Sequence, residues 1–189
     1  MELRTLARPV ELRSSDGPGP GTAVGYAYMF NSLSEDLGGF VEQIAPGAGR
    51  TAIETGTGNG ELAALVDHDP TRIVGRTGNG TLRLAEDNVG ARYEIDLPDT
   101  TVGRDLAESL RRRDIVGSSF AFRIAPDGLR WSMTDDGRDL ATITNISWIR
   151  DVGPVTFPAY PQTEAALRSL AEHREVLRVR RRHLSAWVY

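Results

Sequence analysis

From Val116 to Ile124 the chain alternates between two kinds of side chain, and that alternation is the strongest constraint on its fold. A period of two belongs to a strand with one face buried. Val116, Ser118, Phe120, Phe122 and Ile124 fall on one side and are expected to supply core. Gly117, Ser119, Ala121 and Arg123 fall on the other, so Ser119 lies between two residues with almost no side chain. A hydroxyl flanked in this way is open to an approaching group. Small residues at those positions also serve to let a neighbouring element pack closely.

The same alternation recurs in short runs broken by turn residues. In Ala91–Leu97, Ala91, Tyr93, Ile95 and Leu97 face inward while Arg92, Glu94 and Asp96 face water. Strands are also predicted over Thr22–Phe30, Phe40–Ile44, Ile73–Arg76, Thr81–Leu84, Leu129–Met133, Leu140–Ile149 and Val152–Phe157. Thr5–Arg13 reads as an edge strand or lead-in. Arg50–Leu65 is at best partly helical, because Gly56, Gly58 and Gly60 interrupt it. Those glycines lack the spacing of a dinucleotide fingerprint and read as a loop. One strong internal helix spans Thr100–Arg113, with Val102, Leu106 and Leu110 four residues apart and Arg111-Arg112-Arg113 at its negative pole. A second begins at a Thr163 cap and runs to about Arg182, with Leu167, Leu170 and Leu177 on one face. The domain expectation is an N-terminal lead-in over 1–21, one globular domain over 22–162, and a C-terminal helix with a basic tail over 163–189. Many short antiparallel strands with two good helices indicate a β-rich α+β fold, a barrel or sandwich with helices outside it.

Composition narrows the chemistry. Cysteine is absent, which excludes disulfides, thiolate metal sites and cysteine nucleophiles. All 22 basic residues are arginine, so lysine Schiff-base chemistry and a phosphate-loop lysine are excluded too. The net charge of -4 gives no reason to expect nucleic-acid binding. No apolar run approaches membrane-spanning length and no signal-peptide pattern opens the chain, so a cytoplasmic protein is expected. Of three histidines, His173 and His183 lie in the arginine-rich C-terminal segment, and only His68 lies in the strand-rich body. If a serine is activated by imidazole, His68 is the base by elimination. An Asp67-His68-Asp69 metal site is disfavoured because neighbours in an extended segment point in opposite directions, and no cofactor is called for. A third group must hold the imidazole's tautomer. Asp151 is a candidate, with Asp67, Asp69 and Asp96 as alternatives. The Gly-x-Ser-x-Gly elbow of the α/β-hydrolases is absent.

Several blocks, in order, resemble the prohead maturation proteases of HK97-like tailed phages, over about Gly25–Thr163. They include Gly38-Gly39-Phe40-Val41-Glu42-Gln43-Ile44-Ala45-Pro46-Gly47-Ala48, then Asp67-His68-Asp69-Pro70 with Gly75-Arg76-Thr77. Leu82-Arg83-Leu84, Leu97-Pro98-Asp99-Thr100 and Gly103-Arg104-Asp105-Leu106 follow. The last are Gly117-Ser118-Ser119-Phe120-Ala121-Phe122 and Asp151-Val152-Gly153-Pro154-Val155-Thr156-Phe157-Pro158-Ala159-Tyr160-Pro161. The resemblance implies a serine endopeptidase with an assemblin-like antiparallel β-barrel and helices packed around it. It assigns the histidine to His68, the serine to Ser119 rather than Ser118, and the acid to Asp151. The family's acid is more often glutamate, so the shorter aspartate changes the reach to His68. Gly49 stands where an aromatic residue commonly ends the Ala-Pro-Gly-Ala block.

By the same resemblance the substrate is the scaffolding segment of the major capsid protein, cut inside the prohead in the bacterial cytoplasm. Self-cleavage is implied as well. The implied partner is that capsid protein, with a homodimer left open and neither nucleic acid nor membrane expected. The Arg178–Arg182 run reads either as a docking tail or as a solvated helix end. Two rivals stand beside the protease: a catalytically silent assembly factor on the same fold, and a serine esterase with a formed apolar pocket.

Overall fold

The computed structural model describes residues 1–14, 19–56, 61–157, 170–175 and 178. The Thr163 cap, Leu167, Leu177, most of the glycine loop after Gly56 and the arginine run apart from Arg178 lie outside the described residues.

In chain order the elements begin with strands β1 (Glu2–Leu6), β2 (Glu11–Arg13), β3 (Thr22–Met29) and β4 (Phe40–Ile44), then helix α1 (Arg50–Thr55). Strands β5 (Ala63–Leu65), β6 (Ile73–Arg76), β7 (Leu82–Glu86) and β8 (Gly90–Asp96) lead to helix α2 (Thr101–Arg112). Four strands follow, β9 (Gly117–Ile124), β10 (Leu129–Met133), β11 (Asp139–Ile143) and β12 (Ile146–Val155). The helix α2 forms as its sequence requires. The Thr100 side chain accepts from Gly103 N–H, and Leu106, Ala107 and Leu110 are buried. Arg113 closes it in the left-handed region at φ 63°.

The strands form three sheets, with orders β1-β9-β12-β5-β6, β2-β3-β8-β7 and β10-β11-β4. Among the described residues none of them closes, so the expected barrel is not present. Nor is the pairing purely antiparallel, because β12 runs parallel to β5 and β11 parallel to β4. The two larger sheets instead meet through side chains. Tyr28 packs on Phe120 at a ring separation of 4.9 Å, and Phe120 stacks on Phe122 at 4.3 Å. Contact of this kind holds sheets face to face and leaves their edge strands outside any common ladder. Between the four- and three-stranded sheets the described residues show a single isolated bridge, Phe30 to Ile44. Architecture is therefore open sheets around one main core, with α1 and α2 against them.

Some strand boundaries differ from the expected ones. Leu140–Ile149 and Val152–Phe157 were expected as two strands divided near residue 150. The chain instead breaks at Thr144-Asn145 and then runs unbroken from Ile146 to Val155. That break is forced by backbone contact, since Thr144 N–H bonds to the Gly128 carbonyl at 2.8 Å. Val116, expected in the core, precedes β9 and is 40% exposed. Glu2–Leu6, within the stretch read as a lead-in, is the edge strand of the five-stranded sheet and pairs along the whole of Leu6↔Ser118 to Glu2↔Phe122.

Strand β1 brings a charge into the interior. Arg4 shares the face of Phe120 and Phe122, and its guanidinium reaches Glu42 of β4 through Nε–Oε1 at 2.5 Å and a second contact of 2.8 Å. Glu2 adds a contact at 3.2 Å and the Leu3 carbonyl one at 2.9 Å. Burial alone would make this cation easier to deprotonate, but the Glu42 and Glu2 carboxylates outweigh it and raise its pKa. The pair ties the five-stranded sheet to the three-stranded one. Glu42→Ala leaves that cation short of its bidentate partner and is expected to cost about 3 kcal/mol in urea unfolding. Arg4→Leu combined with Glu42→Leu should recover most of the loss, because no buried cation remains. An unchanged midpoint in Glu42→Ala would show that the pair contributes nothing.

Candidate active site

Ser119 is the third residue of β9, and its pairing partners locate everything else. On one side it faces Thr5 of β1; on the other it faces Gly153 of β12. Asp151 pairs with Ala121, two rungs away on the same face. A register irregularity between Ile149 and Asp151 marks the start of this stretch.

The histidine comes from beyond the end of β5, which runs parallel to β12. Gly153 permits the approach: a Cβ there would lie 2.0 Å from the Leu65 carbonyl oxygen. The chain then turns sharply, with Asp67 and His68 both in the left-handed region at φ 53° and 58°. Aspartate and histidine tolerate this conformation better than most residues, yet it must be held. Asp67 N–H bonds to the Pro154 carbonyl at 3.0 Å, and Asp69 N–H to the Val66 carbonyl at 3.0 Å. The Asp67 carboxylate accepts from Thr156 N–H at 2.7 Å and Thr156 Oγ1 at 3.1 Å. Asp69 accepts from the Thr71 hydroxyl and backbone N–H, which hold its carboxyl below the ordinary value.

His68 is thereby brought to both expected partners. Its Nε2 is 2.7 Å from Ser119 Oγ, and its Nδ1 contacts Asp151 Oδ1. An ionised carboxylate only accepts, so the Asp151 contact places the imidazole proton on Nδ1 and leaves the Nε2 lone pair toward Ser119. The other aspartates are engaged elsewhere. Asp67 and Asp69 hold the turn. Asp96 sits on the four-stranded sheet, where Arg83 bonds it at 2.6 and 2.8 Å and keeps its carboxyl below the ordinary value. The shorter acid reaches His68 because β12 lies beside β5 at Gly153. No aromatic residue is needed at Gly49, where a Cβ would lie 2.0 Å from the Tyr28 hydroxyl.

Ser119 itself is only 1% exposed, covered more closely than its small neighbours suggested. Its hydroxyl has one proton and two acceptors, His68 Nε2 and the Arg4 carbonyl at 2.9 Å. Thr5 Oγ1 is 3.4 Å away. Neither β1 contact was legible in the sequence, where nothing links residues more than a hundred positions apart. Asp151 is also 1% exposed, and its Oδ2 accepts no hydrogen bond, with Arg150 Nε 3.7 Å away. A buried carboxylate left partly unsatisfied costs stability, and Glu86, whose Oε2 also accepts no hydrogen bond, is in the same position. Among the described residues no cluster of histidine, aspartate and glutamate is arranged to hold a metal ion.

The adjacent Ser118 points the opposite way. Its hydroxyl donates to Tyr93 Oη at 2.7 Å inside the core, where burial pushes the Tyr93 phenol well up. The two serines therefore have unrelated surroundings. Ser118→Ala strands a buried phenol and is expected to lower unfolding free energy by about 1–3 kcal/mol while leaving the His68–Ser119 contact in place. Chemical denaturation, with the His68 ring followed by NMR, checks both halves; an undiminished stability would remove the core role.

A family model described as Caudovirus prohead serine protease matches residues 8–176. No curated protein and no solved structure matches the chain.

Proposed function

Because the chain belongs to the caudovirus prohead serine protease family and is thus a serine endopeptidase of prohead maturation, we propose that Ser119 is its nucleophile, His68 its general base and Asp151 the acid that orients the imidazole. The observation that carries this reading is the unbroken chain Asp151–His68–Ser119, with contacts to both imidazole nitrogens. His68 Nε2 takes the Ser119 proton as Oγ attacks the scissile carbonyl, and Asp151 stabilises the imidazolium that forms. Backbone N–H groups take up the oxyanion. The imidazolium then protonates the leaving amine, and a water activated by the same nitrogen releases the acyl group.

The substrate follows from the family. The protease acts on the prohead, and the segment removed is the scaffolding portion of the major capsid protein, within the assembling shell in the host cytoplasm. Among the described residues no helix is long and apolar enough to cross a membrane. The protein also cuts its own chain.

A fluorophosphonate probe should form one adduct, on Ser119, located by peptide mass mapping. Ser119→Ala should abolish it, and His68→Ala and Asp151→Asn should each slow acylation by about 10³-fold or more. Co-expression with the capsid protein should give a shortened capsid chain with wild type and full-length chain with Ser119→Ala. An adduct on Ser118, or equal labelling in His68→Ala, would refute the assignment.

A further inference from the structure

Beside Ser119 the outer face of the five-stranded sheet is hollowed into a groove of about 420 Å³. That size is within the roughly 300–1,000 Å³ of small-molecule pockets. Its walls away from the triad are Leu3 and Thr5 of β1 and Val155, Thr156 and Phe157 at the end of β12. Three of these are hydrophobic. The charged residue at its rim, Asp67, has its carboxylate taken by Thr156 and by Arg72 at 3.3 Å. Phe157 is 81% exposed, although it belongs to the Val155-Thr156-Phe157-Pro158 block. An aromatic side chain left in water at the mouth of a reactive site gains its burial when a substrate arrives.

We propose that Leu3, Val155 and Phe157 form an apolar subsite that receives a hydrophobic side chain adjoining the scissile bond. The protease then cuts beside aliphatic or aromatic residues in preference to charged ones. This rests on Ser119 being the nucleophile, since the groove gains its meaning from opening onto that hydroxyl. The Asp67 carboxylate contributes by fixing Thr156, and so the direction in which the chain leaves β12. Strand β1 contributes twice, with Leu3 as a wall and Thr5 beside the serine.

The test uses the full chain as wild type, Phe157→Ser and Phe157→Asp. Phe157 is exposed, so neither change disturbs the core. Cut sites in a proteome-derived peptide mixture are read by mass spectrometry, and kcat/KM is then measured for a synthetic peptide pair with leucine or serine at the preferred position. Fluorophosphonate labelling of Ser119 is followed in parallel. Wild type is expected to favour the leucine peptide by at least about tenfold. Phe157→Ser should lower that ratio about tenfold, and Phe157→Asp should shift cut sites toward arginine and lysine. A wild type that labels at Ser119 but cuts without apolar preference, or a Phe157→Ser that keeps the ratio, overturns the subsite and leaves the catalytic assignment standing. Absence of Ser119 labelling in wild type overturns the assignment and the subsite with it.

Discussion

The close passage of β5 along β12 at Gly153 is the contact on which the site depends. Backbone touches backbone there, with the Leu65 carbonyl where a side chain would otherwise be. Because β12 also pairs with β9, one glycine sets three strands at a spacing that lets a short imidazole bridge aspartate and serine. The left-handed turn at Asp67 and His68 completes the arrangement. Its cost is offset by hydrogen bonds to Pro154 and Thr156, which belong to β12 or directly follow it. The same strand thus carries the acid, admits the histidine and anchors its loop.

Polar groups inside the molecule divide into two kinds. Ser118 with Tyr93, and Arg4 with Glu42, are matched pairs that join one sheet to another. Asp151 is different: one oxygen meets His68 while the other accepts no hydrogen bond. Glu86 is short in the same way, its Oε1 accepting from the Tyr28 hydroxyl and Gly49 N–H while its Oε2 accepts none, so the unsatisfied oxygen near Ser119 is one of two among the described residues. Strand β1 links both kinds, since Arg4 locks its position through the side chain while the Arg4 carbonyl meets Ser119 Oγ. A competing acceptor at Ser119 is therefore built into the sheet edge.

Much of the local structure was legible beforehand. Alternation placed β8 and β9 correctly, and Ser118 and Ser119 on opposite faces, because a strand's side chains must alternate. Thr100 and the spacing of Leu106 and Leu110 placed α2 within a residue. Other expectations failed for reasons that are not local. Whether sheets close is decided by which edges meet, and the ladder between β12 and β5 joins segments more than eighty residues apart. The division expected near residue 150 is no break: there β12 only shifts its register against β9, between Ile149 and Asp151, a feature of pairing with a distant strand. Val116 continued a perfect alternation yet falls outside the strand.

By itself the sequence determined the kinds of chemistry open to this protein. Absence of cysteine and lysine removed thiol and amine nucleophiles, and one histidine in the strand-rich body left His68 as the base if a serine were activated by imidazole. Matching blocks then named Ser119, His68 and Asp151 as serine, base and acid. Only the tertiary structure decided that these three touch, that Asp67, Asp69 and Asp96 are engaged elsewhere, and that β1 roofs the serine. Composition and periodicity act through each residue's immediate neighbours along the chain. Distances of a few ångströms between residues 68, 119 and 151 depend on strand order and register, which are properties of the packed chain as a whole.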